Sequence, residues 1–247
     1  MLKLELQKLF IKPYFICSFA VLSLWTFILY NTFIWTPARI LQKSLDFWGK
    51  LGSIALCFII LMIVTRLFIM DVNENTEDVF NAAKFGKGKL FKIRLKAGII
   101  FIFITVLLFT WMNLIISMYF NRISQDLTIP LSISVPSYYL LQVLSVIIGA
   151  ISFIICASCI CNGFKSQSIT VIICGLLFGI SYITRSASVN KFSIHWFLER
   201  GFFSYMMRGK ILADSLWEMA FWIFWHCMIS CIAIIAGKKV QLRRNEL

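Results

Sequence analysis

Three cysteines in an apolar stretch, Cys156, Cys159 and Cys161, form the pattern C-x-x-C-x-C, which can hold a metal ion or support thiol–disulfide exchange. Either chemistry needs further ligands or an electropositive setting, and no cluster of histidines or carboxylates lies nearby in sequence. The neighbours are isoleucine, alanine and serine, so we interpret these cysteines as small residues that pack between membrane helices. Cys227 and Cys231, one helical turn apart, receive the same interpretation.

The two histidines are the next candidates for chemistry. His195 and Glu199 are four residues apart and would share one helix face, but a metal site needs at least a third ligand, and the sequence suggests none. His226 stands alone in an apolar stretch, where an ionisable residue is a functional candidate by default; we favour a hydrogen-bonded core histidine. We therefore predict no metal, no cofactor and no catalytic residue in this chain.

A short glycine- and lysine-rich run, Gly86-Lys87-Gly88-Lys89-Leu90, resembles a phosphate-binding loop only superficially. Such a loop requires G-x-x-x-x-G-K-[ST] after a strand, and Leu90 stands where Ser or Thr is needed. We therefore predict that this chain alone neither binds nor hydrolyses ATP.

The composition indicates that lipid is the solvent of most of the surface. Of the 247 residues, 60% are hydrophobic and only 14% are charged, whereas soluble domains have about 25% charged residues. We predict a single all-α integral membrane domain over residues 1–247, with six transmembrane helices. The predicted spans are Tyr14–Trp35, Leu51–Met70, Ala97–Phe120, Tyr138–Ile160, Ser168–Ile183 and Trp217–Ala236.

The charge distribution predicts the orientation in the membrane. The net charge is +13, and lysine and arginine are more frequent on the side that holds both termini, as the positive-inside rule requires of the cytoplasmic side. We therefore predict a multi-pass protein of a bacterial cell membrane with both termini in the cytoplasm. No nucleic-acid motif accompanies the positive charge, so nucleic acid is not an expected partner.

Two predicted cytoplasmic segments carry amphipathic patterns. Residues 1–13 have the pattern of a short basic helix lying in the headgroup plane, with a frayed terminus as the alternative. In the 71–96 loop, acidic residues come first and basic residues last, which predicts a short helix from about Thr76 to Phe85 that Gly86 and Gly88 end. Its apolar stripe could dock on a soluble partner, and a solvated connector is the alternative.

This loop resembles that of ABC-2-type permeases, the membrane subunits of ATP-driven exporters. The matching residues are Phe68, Glu74, Thr76, Val79, Phe80, Lys87 or Lys89, and Lys96. The six-span layout and the opening helix are also similar, whereas Asn75 stands where the family often has glycine. The resemblance implies a coupling helix that binds a cytoplasmic ATPase subunit, and a second permease copy or a similar permease beside this one in the bilayer. The implied ATPase-coupling residues are Glu74, Thr76, Glu77, Asp78, Val79, Phe80 and Ala83.

Residues 184–216 are unusually aromatic for a loop between two spans. The aromatic residues are Phe192, Trp196, Phe197, Phe202, Phe203 and Tyr205. This density predicts a segment that lies in, or dips into, the outer leaflet. ABC-2 permeases commonly have re-entrant helices there, and an interfacial anchor with no part in transport is the alternative.

The function expected from the resemblance is that of a permease subunit of an ABC exporter. The small size and the lack of a large extracellular domain resemble permeases of antimicrobial-peptide immunity and bacitracin resistance, which implies a hydrophobic or amphipathic substrate. A membrane-embedded enzyme acting on lipid or peptide, or a sensor or scaffold subunit, remains an alternative. An enzyme would need clustered polar residues within the membrane, and Arg66, Asn113, Gln142 and His226 are scattered along the sequence.

Overall fold

The computed structural model describes residues 2–10, 52–73, 86–120, 135–184, 194–209 and 216–243, and the regular structure in these ranges is helical. Eight helices lie in them: α1 (Leu2–Phe10), α2 (Ser53–Asn73), α3 (Gly86–Phe120), α4 (Val135–Phe164), α5 (Gln167–Ile183), α6 (Ile194–Arg200), α7 (Phe203–Met207) and α8 (Leu216–Arg243).

Three of these helices are long and apolar enough to cross a membrane. Their apolar stretches are Lys89–Met112 in α3, Tyr139–Phe164 in α4 and Trp217–Gly237 in α8. Shorter apolar stretches occupy Ser53–Ile69 in α2 and Gln167–Ser181 in α5. All five overlap predicted spans, although the stretch in α3 begins eight residues before the predicted Ala97. The predicted first span, residues 14–35, lies outside the described residues. The described residues are therefore all-helical and compatible with a membrane protein, while the six spans, the interfacial helix and the coupling helix stay predictions.

Helix α4 is the centre of the bundle and packs against α2, α3, α5, α7 and α8. Val146, Ala150, Phe153 and Ala157 recur every three or four residues along it and are fully buried. Small residues allow close approach of membrane helices. At Gly98 of α3, for example, an added Cβ would lie 2.8 Å from Cδ1 of Ile154.

A two-residue turn joins α4 to α5 and sends the chain back along the bundle. Lys165 has a φ of 50°, and its amide donates to the Cys161 carbonyl at 2.9 Å, which closes the end of α4. Ser166 is the N-cap of α5, where its side chain accepts from the amide of Ile169. A side chain that satisfies a free amide at a helix start stabilises that start, so the turn is determined locally.

The amino-terminal helix α1 packs against α3. Leu9 enters the main hydrophobic core, while Oε1 of Glu5 lies 4.0 Å from Nε of Arg94, with both side chains nearly buried. The predicted helix at the start of the chain is present over Leu2–Phe10. Its buried face includes an acidic residue, which the amphipathic pattern alone did not indicate.

The boundaries of the 71–96 segment differ from the predicted ones. Residues 71–73 are the last turn of α2, and Gly86 and Gly88 lie in the first turn of α3 instead of forming a connector. Glycine is least costly near a helix end, and the turns that follow are held by Leu90 and Arg94, which are buried. The basic stretch Lys89–Lys96 is therefore a helical extension of the span.

Candidate functional site

The aromatic segment enters the helix bundle. Residues 194–209, here called the inserted segment, contain α6, the turn at Gly201 and Phe202, and α7, every residue of which is buried. A five-residue helix is not stable by itself in water, so packing must hold α7 in place. The turn is tight: the Gly201 amide donates to the Phe197 carbonyl at 2.7 Å, and Gly209 closes the segment with a φ of 67°.

Helix α7 contacts α4 near the middle of the apolar stretch of α4. A Cβ added at Gly149 would lie 2.7 Å from Cβ of Met206 and 2.9 Å from the backbone nitrogen of Met207. The apolar stretch of α4 begins at Tyr139. Gly149 lies about 15 Å from it along the helix axis, given the rise per residue of an α-helix. That is about half of a 30 Å hydrocarbon core. The Ser145 hydroxyl also donates to the Met206 carbonyl at 3.1 Å.

Aromatic contacts fix the inserted segment to α8. The rings of Trp196 and Phe197 lie 5.1 and 5.9 Å from that of Trp222, and Phe197 makes an edge-to-face contact with Trp225 at 4.9 Å. Indole Nε1 of Trp225 donates to the Gly201 carbonyl at 2.9 Å. Such pairs stabilise by about 0.5–1.5 kcal/mol each beyond the burial of area.

The aromatic residues of the inserted segment lie at different depths. Trp196, Phe203 and Tyr205 are buried within the protein, while Phe197 is 37% exposed. The ring of Phe203 packs on Phe153 at 5.2 Å, in the centre of α4. Phe202 is half-buried, and Phe192, the sixth aromatic of the predicted set, lies outside the described residues. Much of this segment therefore faces other helices.

Arg208 is the most deeply buried charge in the described part of the chain, with an exposed fraction of 0%. Its Nε donates to the Ser204 carbonyl and its Nη2 donates to the Ser181 carbonyl, both at 3.1 Å. Its guanidinium carbon also lies 5.9 Å from the ring centroid of Tyr205. A buried charge is tolerated only when it is paired and hydrogen-bonded. These contacts therefore connect the end of α7 to the end of α5.

Two serines extend this network. The Ser204 hydroxyl donates to Oγ of Ser181, and the Ser181 hydroxyl donates to the Glu199 carbonyl, each at 2.6 Å. Ser181 thus joins α5 to both helices of the inserted segment. We call Ser181, Ser204 and Arg208 the polar latch. Ser181 belongs to α5, whereas Ser204 lies in α7 and Arg208 is the C-cap of α7. Any displacement of the inserted segment must therefore break hydrogen bonds and leave buried groups unsatisfied.

An ion pair holds the inserted segment nearer the start of α8. Nη1 of Arg200 lies 2.9 Å from Oε2 of Glu218, and both side chains are partly exposed. The guanidinium also lies 5.3 Å from the Trp196 ring centroid and 5.4 Å from that of Tyr205. Arginine suits this position because its planar group can stack on aromatic rings while it pairs with a carboxylate.

His226 of α8 lies beside the start of α7 and is fully buried. Its Nδ1 is 2.9 Å from the Trp222 carbonyl, which requires a proton on Nδ1 and leaves Nε2 of the neutral ring as an acceptor. No donor within hydrogen-bonding geometry reaches Nε2 in the described part of the protein. The ring packs edge-on against Phe203 at 5.9 Å, so it has the setting of a core histidine.

The structure brings together only part of the predicted site residues. The coupling residues Glu74, Thr76, Glu77, Asp78, Val79, Phe80 and Ala83 lie outside the described residues. Within the described ranges, no group of three or more His, Cys, Asp or Glu side chains could hold a metal ion. Cys156 and Cys161 are buried free thiols, and Gly237 of α8 packs against Cys159, where an added Cβ would lie 3.0 Å from Sγ.

Sequence reasoning missed the polar latch. The prediction for residues 184–216 rests on their aromatic residues and gives Arg208 no role, and Ser181 enters only as part of the fifth predicted span. The sequence did contain a signal. Arg208 follows Ser204 by four residues, within an aromatic segment predicted to enter the leaflet. A charged residue inside a membrane is by default a candidate for a functional role. The partner of Arg208, Ser181, could not be identified from sequence.

No family model, curated protein or solved structure matches the chain. A function for this chain must therefore be inferred from the helices, the inserted segment and the polar latch.

Proposed function

We propose that this chain is the membrane-spanning permease subunit of an ATP-driven exporter of the ABC-2 type. Its substrate would be a hydrophobic or amphipathic compound, such as an antimicrobial peptide, moved out of the membrane or the cell. ATP would be hydrolysed by a separate cytoplasmic subunit. The chain would have six spans with both termini in the cytoplasm, and would pair with a second copy or a similar permease.

The observation that carries the proposal is the inserted segment. It reaches the middle of α4 and is held by hydrogen bonds and one ion pair, and two of the helices around it, α4 and α8, are long and apolar enough to cross a membrane. Transport by alternating access needs an element with two discrete packed positions. A short helix pair fixed by a few specific polar contacts is suited to that role, because those contacts can be broken or remade as a unit.

The second support is the arrangement at the other end of the spans. Helix α1 is fixed to the extended base of α3 by packing and by Glu5 and Arg94. Any force applied to the segment between α2 and α3 would therefore act on both α1 and the span that follows. This is the position at which the resemblance places a coupling helix, over about Thr76–Phe85.

A substitution in the proposed coupling helix tests the function. Helical spacing places Val79, Phe80 and Ala83 on one face and Asn81 on the opposite face. Loss of one buried aromatic at an interface centre costs about 2 kcal/mol or more, so Phe80→Ala should weaken ATPase association by about thirtyfold. Reversing the charge of Asp78 should act more weakly, because a charge at the rim mainly changes the association rate.

The measurement is copurification of a Walker-motif ATPase from the native host, together with substrate export, at matched membrane levels of each variant. Asn81→Ala is the matched control and should behave as wild type. Normal association and export in Phe80→Ala would remove the coupling role from this helix. If no ATPase copurifies with the wild-type chain, the permease proposal fails, and a membrane enzyme or a sensor subunit becomes the better account.

A further inference from the structure

The base of α3 carries a row of exposed lysines. Lys89, Lys92 and Lys96 are all exposed, and their spacing of three and four residues places them on one face of the helix, within about 60° of each other. Arg94, the other described basic residue of this stretch, points elsewhere, because it is nearly buried beside Glu5 of α1. The row is therefore a uniformly positive surface and has no acidic neighbour among the exposed residues described on α1 and α3.

The same face of α3 becomes apolar directly after the lysines. The row continues with three exposed apolar residues: Phe103, seven residues after Lys96, and then Leu107 and Trp111 at intervals of four residues. The opposite side of the helix, with Ala97, Phe101 and Ile102, is buried in the protein. The lysines thus lie on the side of α3 that faces outwards from the bundle.

The length of α3 places the lysines at headgroup depth. Residues 97–120 carry no charge and extend about 36 Å along the helix, enough for a hydrocarbon core of about 30 Å. Lys96 then lies at the edge of the hydrocarbon, and Lys92 and Lys89 lie about 6 and 10 Å farther out along the helix axis. Headgroups occupy this zone of a bilayer, so a span placed in this way would direct the row towards phosphates.

The row is unfavourable for the helix in the absence of anions. Helix α3 has no acidic residue in its first turn, where the helix dipole favours negative charge. Like charges three and four residues apart also repel each other. Glu5, the described acid beside this part of α3, is engaged with Arg94. An anion bound along the row would remove both penalties.

We propose that this face of α3 binds an anionic phospholipid. The headgroup and phosphate contact Lys89, Lys92 and Lys96, and an acyl chain lies along Phe103 and Leu107. Charge selects the headgroup, and the apolar continuation of the same helix face distinguishes a lipid from a soluble anion. The proposal is independent of the transport function, because it uses only the geometry of α3 and its contact with α1.

The experiment measures lipid binding to the full chain in zwitterionic micelles by native mass spectrometry. Phosphatidylglycerol, phosphatidylcholine and glycerol phosphate are titrated separately. Each lysine near an anionic lipid surface contributes about fivefold in affinity, so Lys96→Gln should weaken phosphatidylglycerol binding about fivefold and Lys92→Gln/Lys96→Gln about thirtyfold. Lys165→Gln is the matched control, because it removes an exposed positive charge in the turn between α4 and α5.

The expected result is selective binding of phosphatidylglycerol that falls in the two α3 variants and is unchanged in Lys165→Gln. Equal binding by wild type and Lys92→Gln/Lys96→Gln would overturn the site. Phosphatidylcholine binding as tight as phosphatidylglycerol would overturn the charge selection. Glycerol phosphate binding with the affinity of the lipid would overturn the lipid assignment in favour of a soluble anion. The exposed single variant Lys96→Gln keeps the test valid if the double variant does not fold.

Discussion

Replacing Gly149 by alanine should displace the inserted segment. The new Cβ would lie 2.9 Å from the backbone nitrogen of Met207, and backbone cannot yield as the end of a flexible side chain can. Overpacking of this kind costs about 1–3 kcal/mol, whereas alanine gains up to about 1 kcal/mol over glycine within a helix. The net effect should be destabilising, and α7 should move away from α4.

Gly175→Ala separates these two effects. Gly175 lies within α5, and a Cβ added there would have no atom within 4 Å. Gly175→Ala should therefore gain the same stabilisation from helix propensity as Gly149→Ala, with no steric cost. The difference in free energy of unfolding between the two variants should equal the steric cost at Gly149 alone, about 1–3 kcal/mol.

The assay is reversible unfolding of the full chain in mixed micelles, followed by tryptophan fluorescence. A second readout is the labelling rate of a cysteine at position 203, in a background without native cysteines, by a water-soluble thiol reagent. Gly149→Ala should lower stability and raise the labelling rate, and Gly175→Ala should do neither. Equal stability and equal labelling of both variants would refute the contact of α7 with the middle of α4.

Three further predictions concern the inserted segment. Cysteines at positions 202 and 203 should react slowly with a water-soluble thiol reagent from outside, because Phe203 is buried and Phe202 is half-buried; fast labelling at both positions would mean a solvated loop. Ser204→Ala and Ser181→Ala should be non-additive by about 1 kcal/mol or more in a double-mutant cycle of unfolding free energies, since the Ser204 hydroxyl donates to Oγ of Ser181 in a buried hydrogen bond; additive effects would contradict the polar latch. Glu218→Gln should cost less than about 1 kcal/mol of unfolding free energy, because its ion pair is partly exposed; a loss larger than the coupling in that cycle would show that the ion pair, not the latch, holds the segment.

The positions of the described spans follow from the sequence. A membrane helix must satisfy its backbone hydrogen bonds internally and present apolar side chains over about 20 residues. A run of apolar residues of that length is therefore nearly sufficient to predict where such a helix lies. Predicted spans at 97–120 and 138–160 accordingly fall within α3 and α4. The short fifth span, predicted over 168–183, corresponds to α5 within one residue.

For the aromatic segment, the residue types predict less of the structure. Its composition indicates that residues near 184–216 avoid bulk water, and this is as far as a pattern of residue types can go. The depth of α7 depends on Gly149, a residue of another helix whose missing side chain makes room for Met206. A glycine in an apolar helix has no sequence signature that names the residue filling the space beside it.

By itself the sequence determined which stretches are shielded from water and that they are helices. It also determined that residues near 194–209 are shielded from water together with them. Only the tertiary structure decided which helix faces meet, and hence that Arg208 bonds to Ser181, twenty-seven positions away. The physical reason is that a lipid-exposed helix is apolar on every side, so its periodicity does not specify its rotation about its own axis. That rotation is set by close packing and by the need to satisfy each buried polar group, and both conditions involve residues distant in sequence.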